Sequence, residues 1–169
     1  MPKVAVIMGS HKDFAAVEPC IKQLAELGIE VEARVLSAHR TPEEAAAFAR
    51  LAQESGVEVL IAAAGKAAHL AGVLAAYTVL PVIGLPIAAS QLDGMDALLA
   101  IVQMPAGIPV ATVAINGAQN AALLAAQILG VKYPEIRMQL EQGRVKMHDE
   151  VLMRDAEIAA KVADIVKGE

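Results

Sequence analysis

The 169-residue sequence contains one cysteine, no tryptophan, two phenylalanines and two tyrosines. A single cysteine, Cys20, cannot form an internal disulfide, and its presence fits a reducing compartment. We therefore expect a cytoplasmic protein in which Cys20 is a small packing residue within a helix.

Several signals of charge and metal chemistry are also missing. The net charge is −5 and the basic residues are scattered, which argues against a nucleic-acid or anionic-membrane partner. No HExxH, paired-cysteine or clustered carboxylate pattern suggests a metal site. The turn at residues 9–13 lacks the GxxxxGK[ST] spacing of a nucleoside-triphosphate-binding loop.

Targeting and membrane-spanning segments are likewise not indicated. The N-terminus enters a predicted strand within three residues, so we expect no signal peptide. The most apolar region, residues 57–89, is long enough to raise the question of a membrane span. Lys66, His69 and several Gly and Pro residues divide it into short pieces, and a buried sheet and helix explain it better.

Apolar residues are abundant, at 56% of the chain with a mean hydropathy of +0.50. Most of this excess is Ala, Val, Leu and Ile. Because monomers rarely expose large apolar patches, we expect part of the surface to be covered in a homo-oligomer.

Apolar strand-like runs alternate with helical patterns along the chain. The second strand, for example, leads through Ser37–Pro42 into a helix that starts with Thr41, Pro42 and two acids. Pro19 lies within the first helical pattern, where either the helix is kinked or only its later part is regular. The predicted strands are 3–8, 30–36, 57–63, 81–84 and 109–115, with a loop at 85–92; the predicted helices are 14–27, 42–55, 69–77, 93–103 and 120–129, then 134–145 and 149–167.

Five such alternations predict an α/β protein, a parallel sheet with helices on both faces. The commonest five-stranded arrangement is the doubly wound, flavodoxin-like order 2-1-3-4-5, which makes three layers. Its ligand crevice lies at the carboxyl ends of the strands, at the switch between the first and third strands. We expect one domain over residues 1–169, with an α/β core at 1–130 and a C-terminal helical extension at 131–169.

Three polar turns meet at that predicted crevice. In the first, Ser10, Lys12 and free backbone amides suit a phosphate, and Asp13 suits a sugar hydroxyl pair; Asp13 acting only as a helix cap is an equally good interpretation. In the second, His39 can move protons near neutral pH, and Arg40 can hold a phosphate through two parallel hydrogen bonds.

The third turn, residues 64–69, has little side-chain bulk apart from Lys66, so backbone groups can approach a planar ring. His69 lies among alanines, and a packed, hydrogen-bonded structural role is favoured over a catalytic one. No aromatic residue lies in these three turns to sandwich a flavin. A non-catalytic or flavin-binding flavodoxin-like module is therefore the weaker alternative to an enzyme.

The chain closely resembles the class I N5-carboxyaminoimidazole ribonucleotide mutases of purine biosynthesis. The resemblance covers roughly the first four-fifths of the chain in consistent order. The matching segments are Met8-Gly9-Ser10 with Asp13, Ser37-Ala38-His39-Arg40-Thr41-Pro42, Ala67-Ala68-His69-Leu70 with Gly72, Leu80-Pro81-Val82-Ile83-Gly84, Ile101-Val102-Gln103-Met104-Pro105 and Asn120-Ala121-Ala122-Leu123-Leu124-Ala125-Ala126.

The resemblance implies a homo-octamer without metal or organic cofactor that converts N5-carboxyaminoimidazole ribonucleotide to 4-carboxy-5-aminoimidazole ribonucleotide. It implies that His39 is the general acid and base. Independently of the resemblance, we expect the C-terminal helices to pack on a neighbouring subunit. The implied ribonucleotide-binding residues are Ser10, Asp13 and Arg40, and the pocket-lining residues are Ser37, Ala38, Gly65, Ala67 and Leu70.

Three positions depart from the family pattern. Lys12 replaces a usual serine, Lys66 a common glycine and Ala71 a proline. The related class II enzymes, which carboxylate aminoimidazole ribonucleotide with carbon dioxide, carry a basic residue near Lys66. They usually have Lys in place of Arg40, however, and lack the segment 67–70, so a class II carboxylase remains the alternative interpretation.

Overall fold

A computed structural model describes residues 1–89 and 92–168 of the chain. Their five strands form one all-parallel sheet in the order β2-β1-β3-β4-β5, which confirms the predicted doubly wound topology. A single 3₁₀ turn, His11–Asp13, precedes α1. The strands are β1 Lys3–Met8, β2 Glu30–Val35, β3 Val59–Gly65, β4 Val82–Ile87 and β5 Ala111–Thr112; the helices are α1 Phe14–Glu26, α2 Pro42–Leu51, α3 Leu70–Ala75, α4 Met95–Val102, α5 Ala118–Gly130 and α6 Pro134–Lys167.

The three central strands are apolar on both faces because helices cover both sides of the sheet. On one face, side chains such as Val6 and Ile61 pack with α1 and α5. On the other, side chains such as Ile7 and Leu60 pack with α2, α3 and α4. The buried continuous runs that the sequence shows are therefore explained by a three-layer core.

The fourth and fifth strands differ from their predicted bounds. The predicted loop at 85–92 is wrong for residues 85–87, which continue β4; Ser90 and Gln91 lie outside the described residues. β5 pairs with β4 only through Ala111 and Thr112. Pro86 lacks an N–H and cannot donate to the next rung, so regular pairing stops there. The Asn116 amide still donates to the Pro86 carbonyl at 2.8 Å.

The first helix runs continuously from Phe14 to Glu26 with Pro19 inside it. Cys20 is fully buried in this helix, as predicted, and burial raises the pKa of its thiol to about 12.

The boundaries of other elements shift by a few residues, because helix and strand ends depend on local hydrogen bonds as well as on the apolar pattern. Thus β3 covers Val59–Gly65 instead of 57–63, and α2 ends at Leu51 instead of 55.

The two C-terminal helices that the sequence predicts are wrong, because residues 134–167 form one helix, α6. Pro134 occupies the first turn, and no proline follows it to break the helix. Gly143 lies in its interior, where glycine costs only about 1 kcal/mol relative to alanine. None of the helices among residues 1–89 and 92–168 is long and apolar enough to cross a membrane.

The start of α6 is fixed to the core. Ile136, 1% exposed, is the buried residue of the helix and packs beneath α5. Just before it, Lys132 Nζ lies 2.8 Å from Glu58 Oε2, and the Tyr133 hydroxyl donates to Glu58 Oε1 at 2.7 Å. Burial opposes the charge on Glu58, but the hydrogen bonds from Lys132 and Tyr133 outweigh it and lower the pKa of that carboxyl. The helix therefore leaves the core from a defined point.

Beyond that point α6 has no fully buried residue among the described residues, although half-buried Leu140 still packs against the core. Its burial pattern is exposed or half-exposed from Arg137 to Gly168. Many of the exposed residues are large and apolar: Met138, Val145, Met147, Val151, Leu152, Met153, Ile158, Val162, Ile165 and Val166.

Candidate active site

The turns after β1, β2 and β3 lie side by side at the carboxyl edge of the sheet. The Gly9 amide donates to the Ala63 carbonyl of β3, and the Leu36 amide donates to the Met8 carbonyl of β1, both at 3.0 Å. These bonds extend the parallel ladder up to the turns. The predicted convergence at the switch between β1 and β3 is confirmed for the backbone.

The first turn carries a buried carboxylate. Ser10 caps the 3₁₀ turn, with its Oγ accepting from the Lys12 amide at 3.2 Å. Asp13 occupies the N-cap position of α1, yet its side chain makes no capping hydrogen bond. It is 8% exposed, and burial raises the pKa of its carboxyl although a backbone hydrogen bond from Ser10 and the charge of His11 act in the opposite direction. The interpretation of Asp13 as a mere helix cap is therefore disfavoured.

The second turn, residues 37–41, is fixed by four internal hydrogen bonds. Thr41 Oγ1 accepts from the Ser37 amide at 2.8 Å and donates to the Ser37 carbonyl at 3.2 Å. The Thr41 amide donates to that same carbonyl, and the Arg40 amide donates to Ser37 Oγ. Pro42 then begins α2 in its first turn, as predicted. This bonding leaves the side chains of His39 and Arg40 exposed on a well-defined backbone.

The third turn is shaped by close packing and by one strained residue. A Cβ on Gly65 would come within 2.8 Å of the Ala89 Cβ, so a side chain does not fit there. Lys66 has a φ of 57°, in the left-handed region that favours glycine, and its side chain is exposed. Ala67 is exposed beside it, whereas Leu70 is 2% exposed and belongs to the core beneath the turn. Leu70 thus supports the turn from beneath.

The second and third turns meet through two histidines. His39 Nε2 lies 2.9 Å from His69 Nδ1, and the rings cross at 75° with their centroids 4.9 Å apart. His69 is exposed, so the prediction that it is a packed structural residue is wrong. The sequence does carry a signal for this exposure, because His69 ends the third turn and the three turns meet at the carboxyl edge of the sheet.

A groove of about 480 Å³ opens beside this pair. Ala38 is the predicted site residue that lines it, and His69 lines it too. Met104 lies so close to Gly72 that a Cβ there would be 3.0 Å from its sulfur, which places the predicted 101–105 segment at the groove. The groove-lining residues are Ala38, Pro42, His69, Gly72, Val73, Ala76, Tyr77, Ala100 and Met104.

A second, larger cavity of about 780 Å³ lies at the opposite, amino edge of the sheet. It is bounded by residues 75–82 and 107–109, and there the Arg50 guanidinium lies 4.4 Å from the centre of the Tyr77 ring. It contains none of the predicted site residues. Within the described part of the chain, no group of three His, Cys, Asp or Glu side chains is placed to hold a metal ion.

Comparison with known proteins matches most of the chain to one family. Residues 3–150 match the family model described as AIR carboxylase. The chain is 56% identical over 147 residues to the N5-carboxyaminoimidazole ribonucleotide mutase of Pyrococcus abyssi, covering 87% of this chain and 84% of that protein. It is 55% identical over 152 residues to the protein of the same name from Saccharolobus solfataricus, covering 90% and 96%.

A solved structure shares the fold over almost the whole chain. The crystal structure of Treponema denticola PurE superposes with a TM-score of 0.83 at 27% identity, covering 93% of this chain and 98% of that one. The family match spans the sheet, the three turns and the first half of α6. This chain therefore belongs to the AIR carboxylase family.

Proposed function

We propose that this protein is a mutase that converts N5-carboxyaminoimidazole ribonucleotide to 4-carboxy-5-aminoimidazole ribonucleotide in purine biosynthesis, with His39 as general acid and base. The identity of 55–56% to curated mutases supports the reaction. The observation that carries the role of His39 is its place: an exposed imidazole on a rigid turn, beside Arg40 and next to the phosphate-suited first turn.

The reaction needs one proton to be given and one to be taken. His39 as imidazolium donates a proton to the exocyclic nitrogen as the N–C bond breaks and carbon dioxide leaves. The ring carbon then attacks that carbon dioxide with its electron pair to form the new C–C bond. His39 as imidazole removes the proton from the same carbon. This step restores the aromaticity of the substrate ring and returns His39 to the imidazolium form. No net proton is consumed, so one imidazole serves both steps in turn.

The ribonucleotide is held away from the reacting atoms. Arg40 binds the phosphate through paired hydrogen bonds, and Ser10 with the backbone amides of the first turn completes that site. The buried carboxylate of Asp13 accepts hydrogen bonds from the ribose hydroxyls. Lys12 contributes a point charge to the phosphate in place of the usual serine hydroxyl. These contacts, remote from the reacting atoms, hold the aminoimidazole ring of the substrate against His39. Ser37, Ala38, Gly65 and Ala67 shape the pocket, above Leu70.

We also propose that the protein is a homo-octamer in the cytoplasm, with α6 packed on a neighbouring subunit. The apolar side chains exposed along α6 support association, because such a surface is unusual on a monomer. The free, buried thiol of Cys20 fits a reducing compartment. Subunit packing would also close the open groove, which keeps carbon dioxide beside the ring for recapture.

The test supplies N5-carboxyaminoimidazole ribonucleotide in buffer stripped of carbon dioxide, and separately aminoimidazole ribonucleotide with bicarbonate. We expect product from the first substrate at low carbon dioxide. We expect His39→Asn to lower kcat by about 10²–10⁴-fold, since that is the usual contribution of general acid–base catalysis. His148→Asn, on the exposed part of α6, is the matched control.

Consumption of only the second substrate would make the protein a class II carboxylase. Full activity of His39→Asn would overturn the role of His39 in either reaction.

A further inference from the structure

His69 is the side chain that the structure joins to His39. Within residues 1–89 and 92–168, the 2.9 Å contact to His69 Nδ1 is the side-chain hydrogen bond of the His39 ring. The two residues come from different turns, 30 positions apart. The proposed reaction leaves His69 without a role.

We infer that His69 is a positioning residue whose Nδ1 accepts a hydrogen bond from His39 Nε2–H, so that His39 Nδ1 is the atom that exchanges protons with the substrate. This inference rests on the proposed function. Nδ1 of His39 is then the acid and base, and His69 holds the other nitrogen, Nε2, through the hydrogen bond.

The direction of this hydrogen bond follows from the two charge states that His39 must visit. A neutral imidazole has one N–H and one lone pair, whereas an imidazolium has two N–H groups. If His69 Nδ1–H donated to His39 Nε2, protonation of His39 at Nε2 would place two hydrogens between nitrogens 2.9 Å apart. If His39 Nε2–H donates, the bond persists in both states. Only the second direction lets Nδ1 gain and lose its proton while the ring stays in place.

The backbone around His69 holds its ring steady. Its neighbours Ala68 and Leu70 are 1% and 2% exposed, so both flanking side chains are anchored in the core. The His69 amide donates to the Ala67 carbonyl, and its carbonyl accepts from the Val73 amide, each at 2.9 Å. With the second turn fixed by its own hydrogen bonds, the pair is preorganised. An acceptor that orients a general base in this way acts through that base.

Two substitutions at His69 distinguish its role as a hydrogen-bond acceptor from a role in packing alone. His69→Phe keeps an aromatic ring and removes the acceptor. His69→Asn places its Oδ1, two bonds beyond Cβ, where Nδ1 stands and so restores an acceptor. We expect His69→Phe to lower kcat by about 10–100-fold with KM changed less than about 3-fold, because the pair lies away from the phosphate site. We expect His69→Asn to recover at least about a third of the wild-type kcat.

The direct readout is the protonation of the ring nitrogens, which needs no substrate. The chain has four histidines, so solid-state NMR of sedimented, ¹⁵N-histidine-labelled protein at pH 8.5 has few signals, and His39 is assigned from their loss in His39→Asn. We expect His39 to be the Nε2–H tautomer in the wild type and in His69→Asn, and a mixture of tautomers in His69→Phe. Circular dichroism checks that each variant is folded.

The inference is overturned if His39 carries its hydrogen on Nδ1 in the wild type. It is also overturned if folded His69→Phe keeps the wild-type kcat, or if His69→Asn is as slow as His69→Phe. Failure of the proposed function looks different. In that case the wild type shows the expected tautomer but does not convert N5-carboxyaminoimidazole ribonucleotide.

Discussion

Replacing the buried carboxylate of Asp13 by an amide should stabilise the protein while weakening substrate binding. Asp13 is 8% exposed, and within the described part of the chain a backbone hydrogen bond from Ser10 and the charge of His11 oppose the effect of this burial. Asp13→Asn removes the cost of burying a charge, and its amide oxygen can still accept from Ser10. The exchange of a charged for a neutral acceptor costs about 1 kcal/mol. Because burial is the dominant influence, we expect a net gain of about 0.5–2 kcal/mol in the free energy of unfolding at pH 7.

The pH dependence of this gain follows from the direction of the shift. The pKa of Asp13 is raised in the folded state, so folded protein binds more protons than unfolded protein between that pKa and the ordinary value near 3.9. Wild-type stability therefore improves as the pH falls through this window. The advantage of Asp13→Asn should be constant above the raised pKa and should shrink toward zero near pH 4.

Urea unfolding of both proteins at fixed concentration, at half-unit steps from pH 8 to pH 4, measures this difference. Glu54→Gln, at an exposed position after α2, is the control and should change stability by less than about 0.5 kcal/mol at every pH. The reasoning fails if Asp13→Asn is less stable than the wild type at pH 7. It also fails if the difference between them is independent of pH.

Three further outcomes test the phosphate site, the sheet packing and the exposed helix. Arg40→Lys should raise KM by about 10-fold with little change in kcat, because the paired contact is lost; an unchanged KM would contradict phosphate binding by Arg40. A Cβ at Gly84 would overlap Ile101 Cγ2, so Gly84→Ala should lower the free energy of unfolding in urea by about 1–3 kcal/mol. Gly143→Ala, where the added Cβ meets open space, should instead stabilise by up to about 1 kcal/mol. Leu152→Glu should shift the sedimentation coefficient toward smaller species, and an unchanged value would show that this part of α6 is not an interface.

The topology was predictable because periodicity and turn chemistry indicate the same elements. Val4, Ile7 and Ile61 belong to continuous apolar runs, which mark strands covered on both faces, and all three are fully buried. Strand order then follows from the alternation of strands and helices and from the preference for right-handed crossovers. The ends of elements were less predictable. Pro86 suggests a loop in the sequence, yet it lies inside β4, where the missing N–H is tolerated because β5 stops pairing there.

The C-terminal region was misjudged for a different reason. The two predicted helices leave residues 146–148 between them, but nothing there interrupts the backbone hydrogen bonding of α6. The apolar pattern beyond Leu140 is not matched by burial in the described chain, since the helix extends away from the core after that residue. A periodicity analysis assumes that the partner surface lies in the same chain. Where that surface lies elsewhere, the pattern indicates a helix but cannot show where its apolar side chains pack.

The histidine pair shows why candidate side chains at a topological switch point should be weighed together. Taken alone, His69 sits among alanines and resembles a packed residue. The parallel ladder, however, places the residues that follow β2 and β3 on either side of the turn after β1, at one edge of the sheet. Two imidazoles 30 positions apart in sequence can then meet at 2.9 Å. A histidine that acts as general acid and base needs a defined ring orientation as well as a suitable proton affinity. In this fold the ring of the second turn is fixed by a residue of the third.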